Sequence, residues 1–296
     1  MSEDNLLGDY LRARRELVQP GSVGLPANGI RRVSGLRREE VAMLAGISSD
    51  YYLRLEQGRD HNPSIQVLQA LARVLQLDRA ATDYLLGLGA PQPRQRRRRP
   101  KRESVQSGIR QLLDVVDLPA FVEDRYFDVL AANALAYALS PNLQRGQNRL
   151  RAVFFDPGER ALYPDWDTAT AALVAGFRQS VGSDVDDPGF VQLVGELSLS
   201  SERFRRLWAR HDVTSFEGAQ IRLDHPQVGD LTLSREKLAI TGTDGQLLVI
   251  YHAQPGTGSA EKLALLASLA QSGATVAPEA DPAANQPAPR MSRPPE

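Results

Sequence analysis

Leu36-Arg37-Arg38-Glu39-Glu40-Val41-Ala42-Met43-Leu44-Ala45-Gly46-Ile47-Ser48-Ser49-Asp50-Tyr51-Tyr52-Leu53-Arg54-Leu55-Glu56-Gln57-Gly58 reads as two short helices joined by a tight turn. That arrangement lays its second helix in the major groove of DNA. Ala42 supplies a small side chain where the two helices must cross closely. Gly46 falls where the first helix ends and the chain needs a left-handed residue. Ile47 fills the angle between the helices, and Ser48 is an N-cap for the second. Tyr52 and Leu55, three apart, face inward and leave Ser49, Asp50 and Arg54 outward. The alternative is an ordinary helical hairpin in an all-helical protein.

The flanking sequence favours the DNA-binding reading. Leu6 to Glu16 is amphipathic, with Leu7, Tyr10, Leu11 and Leu17 on its apolar side. Asn62-Pro63-Ser64 opens another helix, with Pro63 at or near its first turn. Ile65, Val67, Leu68, Leu71, Ala72, Val74 and Leu75 cover more than half its circumference, which predicts burial. Asp78 starts a last helix, Arg79 to Leu88, stopped by Gly87, Gly89 and Pro91. Five helices over residues 1–91 have the layout of the phage-repressor type of DNA-binding domain.

At 296 residues the chain accommodates two domains. Its net charge of −1 conceals an asymmetry. Residues 1–102 carry 18 Lys and Arg against 11 Asp and Glu, whereas residues 103–296 carry 17 against 25. The first part suits a polyanion and the second does not. The absence of cysteine excludes disulfides, thiolate zinc sites and thiol catalysis. No apolar run is long enough to span a bilayer, and Met1-Ser2-Glu3-Asp4 is acidic rather than signal-like, so a cytoplasmic protein is expected.

Residues 92–103 form a linker in which Gln92 to Arg102 holds two prolines and seven positive charges. It is either a plain solvated spacer or a segment lying along phosphates and adding salt-dependent affinity. Residues 271–296, rich in Pro and Ala, are expected as a disordered tail. Between them, residues 104–270 predict an α+β domain. A helix covers Ser104 to Val116, two short strands flank a turn at Asp124-Arg125, and Ala132 to Leu139 is helical. A helical block runs from Arg149 to about Arg210. Alternating strands follow at Ala219 to Leu223, Leu231 to Ile240 and Gln246 to His252, the last two joined at Thr243-Asp244-Gly245. Two strands early and three late make one antiparallel sheet with helices on a face.

Catalytic patterns are weak. His61, His211, His225 and His252 lack metal-ligand spacing. Ser234-Arg235-Glu236-Lys237 matches an S-x-x-K pattern, but that chemistry wants one helical turn and this segment reads as strand. Gly256-Thr257-Gly258 has no phosphate-binding context. The expectation is a non-enzyme without metal or cofactor.

The motifs resemble a known family. The first domain is similar to the XRE class of helix-turn-helix regulators. Gly35-Leu36-Arg37-Arg38-Glu39-Glu40-Val41-Ala42 with Asp50-Tyr51-Tyr52-Leu53-Arg54-Leu55-Glu56-Gln57-Gly58-Arg59 resembles actinobacterial regulators of the MmyB type. Gly195-Glu196-Leu197-Ser198, Leu207-Trp208-Ala209-Arg210-His211-Asp212-Val213 and His225-Pro226-Gln227-Val228-Gly229 carry the likeness into the second domain. Ser34 departs from the family's usual proline. The resemblance implies a sequence-specific transcriptional regulator whose PAS-like second domain senses a small, fatty-acid-like molecule. A DNA-binding architectural protein without an effector is the alternative.

Matching the motif to phage-type repressors implies residue roles. Ser49, Asp50 and Arg54 reach base edges, Arg54 with two hydrogen bonds to guanine and Asp50 as acceptor from cytosine. Tyr51 touches a thymine methyl or a phosphate. Arg38 and the backbone of Gln57 hold phosphates, and Arg37, Ser48 and Arg59 complete the DNA-contacting set. The Arg31-Arg32 pair lies in a long loop from Pro20 to Gly35, as a solvated pair or a phosphate contact. Arg15 and Glu56 are expected to meet in a partly buried salt bridge. One recognition helix reads too few base pairs for a unique site, so a homodimer on two half-sites of double-stranded DNA is expected.

For the effector, Arg203 to His211 on a helical wheel places Phe204, Leu207, Trp208 and His211 on one face, with Arg203, Arg206 and Arg210 opposite. His211 then turns toward the core. With Phe204 and Trp208 lining a cavity, His211 with Arg205 or Tyr251 holds a polar head; the alternative is a core histidine bonded to a backbone carbonyl.

Overall fold

The structure is a computed structural model that describes residues 5–26, 33–60, 62–90, 104–182, 187–214 and 218–274. Helix α1 spans Leu6–Leu17, α2 Arg38–Ala45, α3 Ser49–Glu56, α4 Ile65–Val74 and α5 Arg79–Gly89. Polar caps set four of these starts. Asn5, Ser48, Ser64 and Asp78 each accept a backbone N–H from the first turn that follows, typically worth about 1 kcal/mol apiece. Gly46 ends α2 at φ 69°, in the left-handed region expected of it. At Gly8 a side chain would collide, because a Cβ there would lie 2.4 Å from the carbonyl oxygen of Glu56. Helix α1 therefore closes on the end of α3 only because that residue has none. Tyr10, Leu11, Leu36, Val41, Ala42, Tyr52, Leu55, Leu71 and Leu85 form the fully enclosed core of this domain.

Two expectations about α4 change. Pro63 precedes the cap rather than sitting in the first turn, because the Ser64 hydroxyl takes the Val67 N–H. Ile65 is 62% exposed; the buried stripe is Leu68, Leu71, Ala72, Val74 and Leu75. Side chains on a helix lean toward its N-terminus, so a first-turn residue projects past the end of the core. The Arg31-Arg32 pair, His61, the basic linker and residues 275–296 lie outside the described residues.

The second domain begins with α6 (Ser107–Val115), β1 (Ala120–Glu123), β2 (Val129–Ala132) and α7 (Ala134–Leu139). The expected helical block resolves into α8 (Arg149–Phe155), α9 (Pro157–Ala161), α10 (Trp166–Val181), α11 (Pro188–Ser200) and α12 (Glu202–Ala209). Strands β3 (Ala219–His225), β4 (Gly229–Ala239) and β5 (Leu247–His252) follow, and α13 (Gly258–Ala274) ends the described chain. The five strands form one antiparallel sheet in the order β2-β1-β5-β4-β3.

Period-two alternation decides what each face of the sheet meets. Val122, Leu248 and Ala120 pack against Leu113 of α6 on one side. Phe121, Leu223, Leu231, Leu233, Val249 and Tyr251 pack against Leu135 and Leu139 of α7 and Leu263 and Leu266 of α13 on the other. The helical block has its own core of Phe127, Leu150, Phe177, Phe190, Leu193, Leu197 and Phe204. Helix α13 is the element the sequence concealed. Its composition, rich in Gly, Ala and Ser, resembles the tail beyond it, and it continues four residues into the stretch expected as tail.

Candidate DNA-reading face and ligand cavity

Helix α3 presents Ser49, Asp50 and Arg54 to solvent while Tyr52, Leu55 and Glu56 point into the domain. Its cap Ser48 is exposed too, as are Arg37, Arg38, Gln57 and Arg59, and Tyr51 is half-buried. The expected DNA-contacting residues are thus accessible, Tyr51 in part. Three of them, Arg38, Asp50 and Arg54, already hold ion pairs. Arg54 is ion-paired with Asp50 one turn earlier and lies over the Tyr51 ring, 5.6 Å from its centroid. Arg38 donates from Nε to Glu56 Oε2 at 2.6 Å.

Arg15 and Glu56 meet as expected, Nε to Oε1 at 2.6 Å, and Arg15 Nη1 also donates to the Leu36 carbonyl at 2.9 Å. Glu56 is fully buried between two arginines. Burial pushes its pKa up, but the hydrogen bonds from Arg15 and Arg38 outweigh that and leave it below the ordinary carboxylate value. The carboxylate ties α1 to α2 and α3, and so fixes the angle at which the reading helix leaves the domain.

In the second domain a small cavity opens on the α7 and α13 side of the sheet, with room for about one water molecule. Leu139, Leu143, Leu162, Ile221 and Leu223 make its walls apolar, and Ser140, Arg149, Glu159, Tyr163 and Tyr251 place polar groups among them. Such a mixture of apolar wall and few polar groups is what small-molecule sites use. Glu159 is held by the Ser140 hydroxyl at 2.5 Å, the Asn142 amide at 3.2 Å and the Tyr163 hydroxyl at 3.3 Å.

Arg149 is the dominant charge there. It is buried, its Nη1 donates to Glu123 Oε2 at 2.7 Å, and its guanidinium lies over Phe121 and Phe127. Lys237 donates to the other oxygen of Glu123, also at 2.7 Å. Burial alone would raise the pKa of Glu123, yet Lys237 and Arg149 bring it down to about 2. Burial lowers Lys237 to about 8 despite its carboxylate partner. For Arg149 burial opposes the charge, and Glu123 more than restores it.

The residues expected around an effector are distributed over four places. Tyr251 lines the cavity. Phe204 and Trp208 stack, 5.7 Å apart, inside the helical core. Arg205 is exposed and donates to the Ser198 carbonyl at 2.7 Å. His211 lies beyond the end of α12 at φ 53°, so the wheel drawn through Trp208 does not govern its direction. Its Nδ1 accepts from Arg178 at 3.3 Å. Arg149, Glu123 and Lys237 were not singled out from sequence, although a signal existed. Glu123 ends an apolar strand, and Lys237 continues the alternation of Leu231 and Leu233 onto the buried face. The strand reading of Ser234 to Lys237 holds, and Lys237 pairs with Glu123.

Among the described residues no group of side chains has the makings of a metal site, and no helix is long and apolar enough to cross a membrane. Residues 6–85 match a helix-turn-helix domain family, and residues 105–266 match the MmyB-like transcription regulator ligand binding domain. No curated protein matches the chain. A DNA-binding domain followed by a ligand-binding domain defines a transcription regulator with a ligand sensor. The chain belongs to the MmyB-like family of such regulators. The matched families are regulatory rather than catalytic.

Proposed function

We propose that this protein is a cytoplasmic, homodimeric regulator that reads two half-sites through α3 and answers to a small amphiphilic acid of the fatty-acid type. The observation that carries the effector class is the cavity, where leucine and isoleucine walls surround a buried arginine. A chain would be driven in at about 0.8 kcal/mol per buried CH₂. Arg149, with Tyr251 and Tyr163 beside it, would hold the carboxylate by charge-assisted hydrogen bonds. The cavity now has room for about one water, so a chain would enter only as Leu139, Leu143, Leu162 and Ile221 move apart, which favours short chains over long ones.

Calorimetry with decanoate and decanol on the intact protein tests this. Decanoate is expected to bind and decanol to bind much more weakly, with the difference abolished by Arg149→Met. Equal binding of both would refute the head-group assignment. For DNA, selection from random duplexes at fixed salt should enrich one sequence. Arg54→Ala should then lose about 1–3 kcal/mol for that sequence and relax the choice of base at one position per half-site. Neutralising Arg96 to Arg99 should weaken all sequences alike and flatten the salt dependence.

A further inference from the structure

The two domains meet at a joint assembled from the end of α12. Asp212 Oδ1 accepts from Arg14 Nη1 of α1 at 2.6 Å, while Arg210 Nε holds its other oxygen at 2.8 Å. The next residue, Val213, is buried in the hydrophobic core of the helix-turn-helix domain. One residue earlier, the His211 ring stands edge-on to Tyr10 of α1, 6.4 Å between centroids. Behind it Arg178 of α10 is buried 3.7 Å above the Trp208 ring and donates to the Trp208 carbonyl and to His211 Nδ1. Tyr84 of α5 also interacts with Arg178.

We infer that this face of α1 and α5 is a docking surface for the cap of α12, and that docking fixes the direction in which α3 points relative to the ligand domain. A chance contact would not need what this one contains. Arg178 is a buried charge whose hydrogen bonds go to a carbonyl, an imidazole and the Tyr84 hydroxyl of the other domain, none of them a carboxylate, and its Nε has no hydrogen-bond partner. His211 holds a left-handed conformation that is uncommon for a residue with a side chain. That conformation turns the chain off the helix axis and delivers Asp212 and Val213 to the other domain. Burial and the two nearby arginines push the His211 pKa down to about 3, which keeps Nδ1 free to accept.

The joint leaves Ser49, Asp50 and Arg54 exposed, so it orients the reading face without covering it. Its ligand-domain side is continuous with the cavity. Phe177, Phe204 and Trp208 pack in one core with Tyr163, which also lines the cavity. Transmission from cavity to joint rests on the proposed sensor role; the docking itself does not.

The chain has no cysteine, so paired spin labels can be placed at will on the full-length protein. With Gln69→Cys and Gln192→Cys, both exposed, the intact protein should give one narrow distance distribution. Asp212→Ala with Val213→Ser should give a distribution about twofold wider or more, as domains sample on a linker without an interface. Arg14→Ala, made in the other domain, should act the same way while circular dichroism stays unchanged. A broad distribution in the unmodified pair, or no widening in either variant, would overturn the joint. On a duplex enriched by the intact protein, the uncoupled variants should lose about tenfold with two half-sites and nothing with one, because only the paired sites need preset orientation. Equal loss on both duplexes would overturn the orienting role. Enrichment of no sequence would instead defeat the regulator reading and leave the label distances to decide the joint.

Discussion

Each domain buries one carboxylate between two cations, yet the two arrangements differ in where their charge goes. In the helix-turn-helix domain Glu56 joins Arg15, which is buried, and Arg38, whose side chain is 43% exposed. Water shares the second arginine's charge, and the cluster acts as a staple between helices. In the ligand domain Glu123 joins Arg149 and Lys237, both buried, and the three charges do not cancel among themselves. The sheet encloses that excess, and the face of Arg149 left to the cavity is where an anion would relieve it. The same three-charge motif is structural beside solvent and chemically poised away from it.

The comparison breaks most readily at the carboxylates. Glu123→Gln leaves two enclosed cations against a neutral amide and should cost about 3–5 kcal/mol of ligand-domain stability. Denaturant unfolding measures it, and a loss under about 1 kcal/mol would show that water reaches the cluster after all. Glu56→Gln should cost somewhat less, about 3 kcal/mol, because Arg38 can turn outward and leave only Arg15 stranded.

The joint holds a third buried cation, Arg178, facing His211 in place of a carboxylate, and pH sharpens the contrast. His211 has a folded pKa of about 3, well below its ordinary 6.5, so the unfolded chain binds the extra proton between those values. Its contribution is therefore present above about pH 6.5 and lost as pH falls toward 3, on the order of 1 kcal/mol per unit. Glu56 and Glu123, also depressed, add losses only below their ordinary value near 4.5. Asp124, raised to about 7 by burial and the neighbouring Asp128, acts in the opposite sense over the same range and gains stability as pH falls. Unfolding measured from pH 7 to 5 should therefore show His211→Asn, whose asparagine also tolerates the left-handed backbone, gaining on the unsubstituted protein as pH falls, by on the order of 1 kcal/mol per unit. Parallel pH profiles for the two proteins would place the titration elsewhere. The smallest effect should come from Arg38→Ala, under about 1 kcal/mol in stability, because that arginine is half in water. A larger loss would mean that Glu56 depends on both arginines, as Glu123 depends on both of its cations.

Much of this was legible along the chain. Gly46, Ser48, Ala42 and the Tyr52–Leu55 spacing specify the helix pair because each requirement is local: a cap, a turn, a close crossing. The five strands were legible for the same reason, since alternation is a property of neighbours in sequence. Helix α13 was not, because only Leu263 and Leu266 anchor it strongly and the rest of its composition suits a tail as well. The wheel through His211 failed where α12 stops, two residues before that histidine, since no periodicity survives a left-handed cap.

By itself, then, the sequence determined which segments other than α13 are helix and strand, that Ser49, Asp50 and Arg54 of the first domain face outward, and that the first part of the chain is the basic one. Only the tertiary structure decided which charges are buried together. Glu123 and Lys237 are 114 residues apart, and Arg14 and Asp212 are 198 apart. Nothing local to any of them tells whether its charge will face water or another side chain. The cavity around Arg149 and the joint under His211 follow from that pairing, because removing water turns a surface charge into one that must be answered by a specific partner.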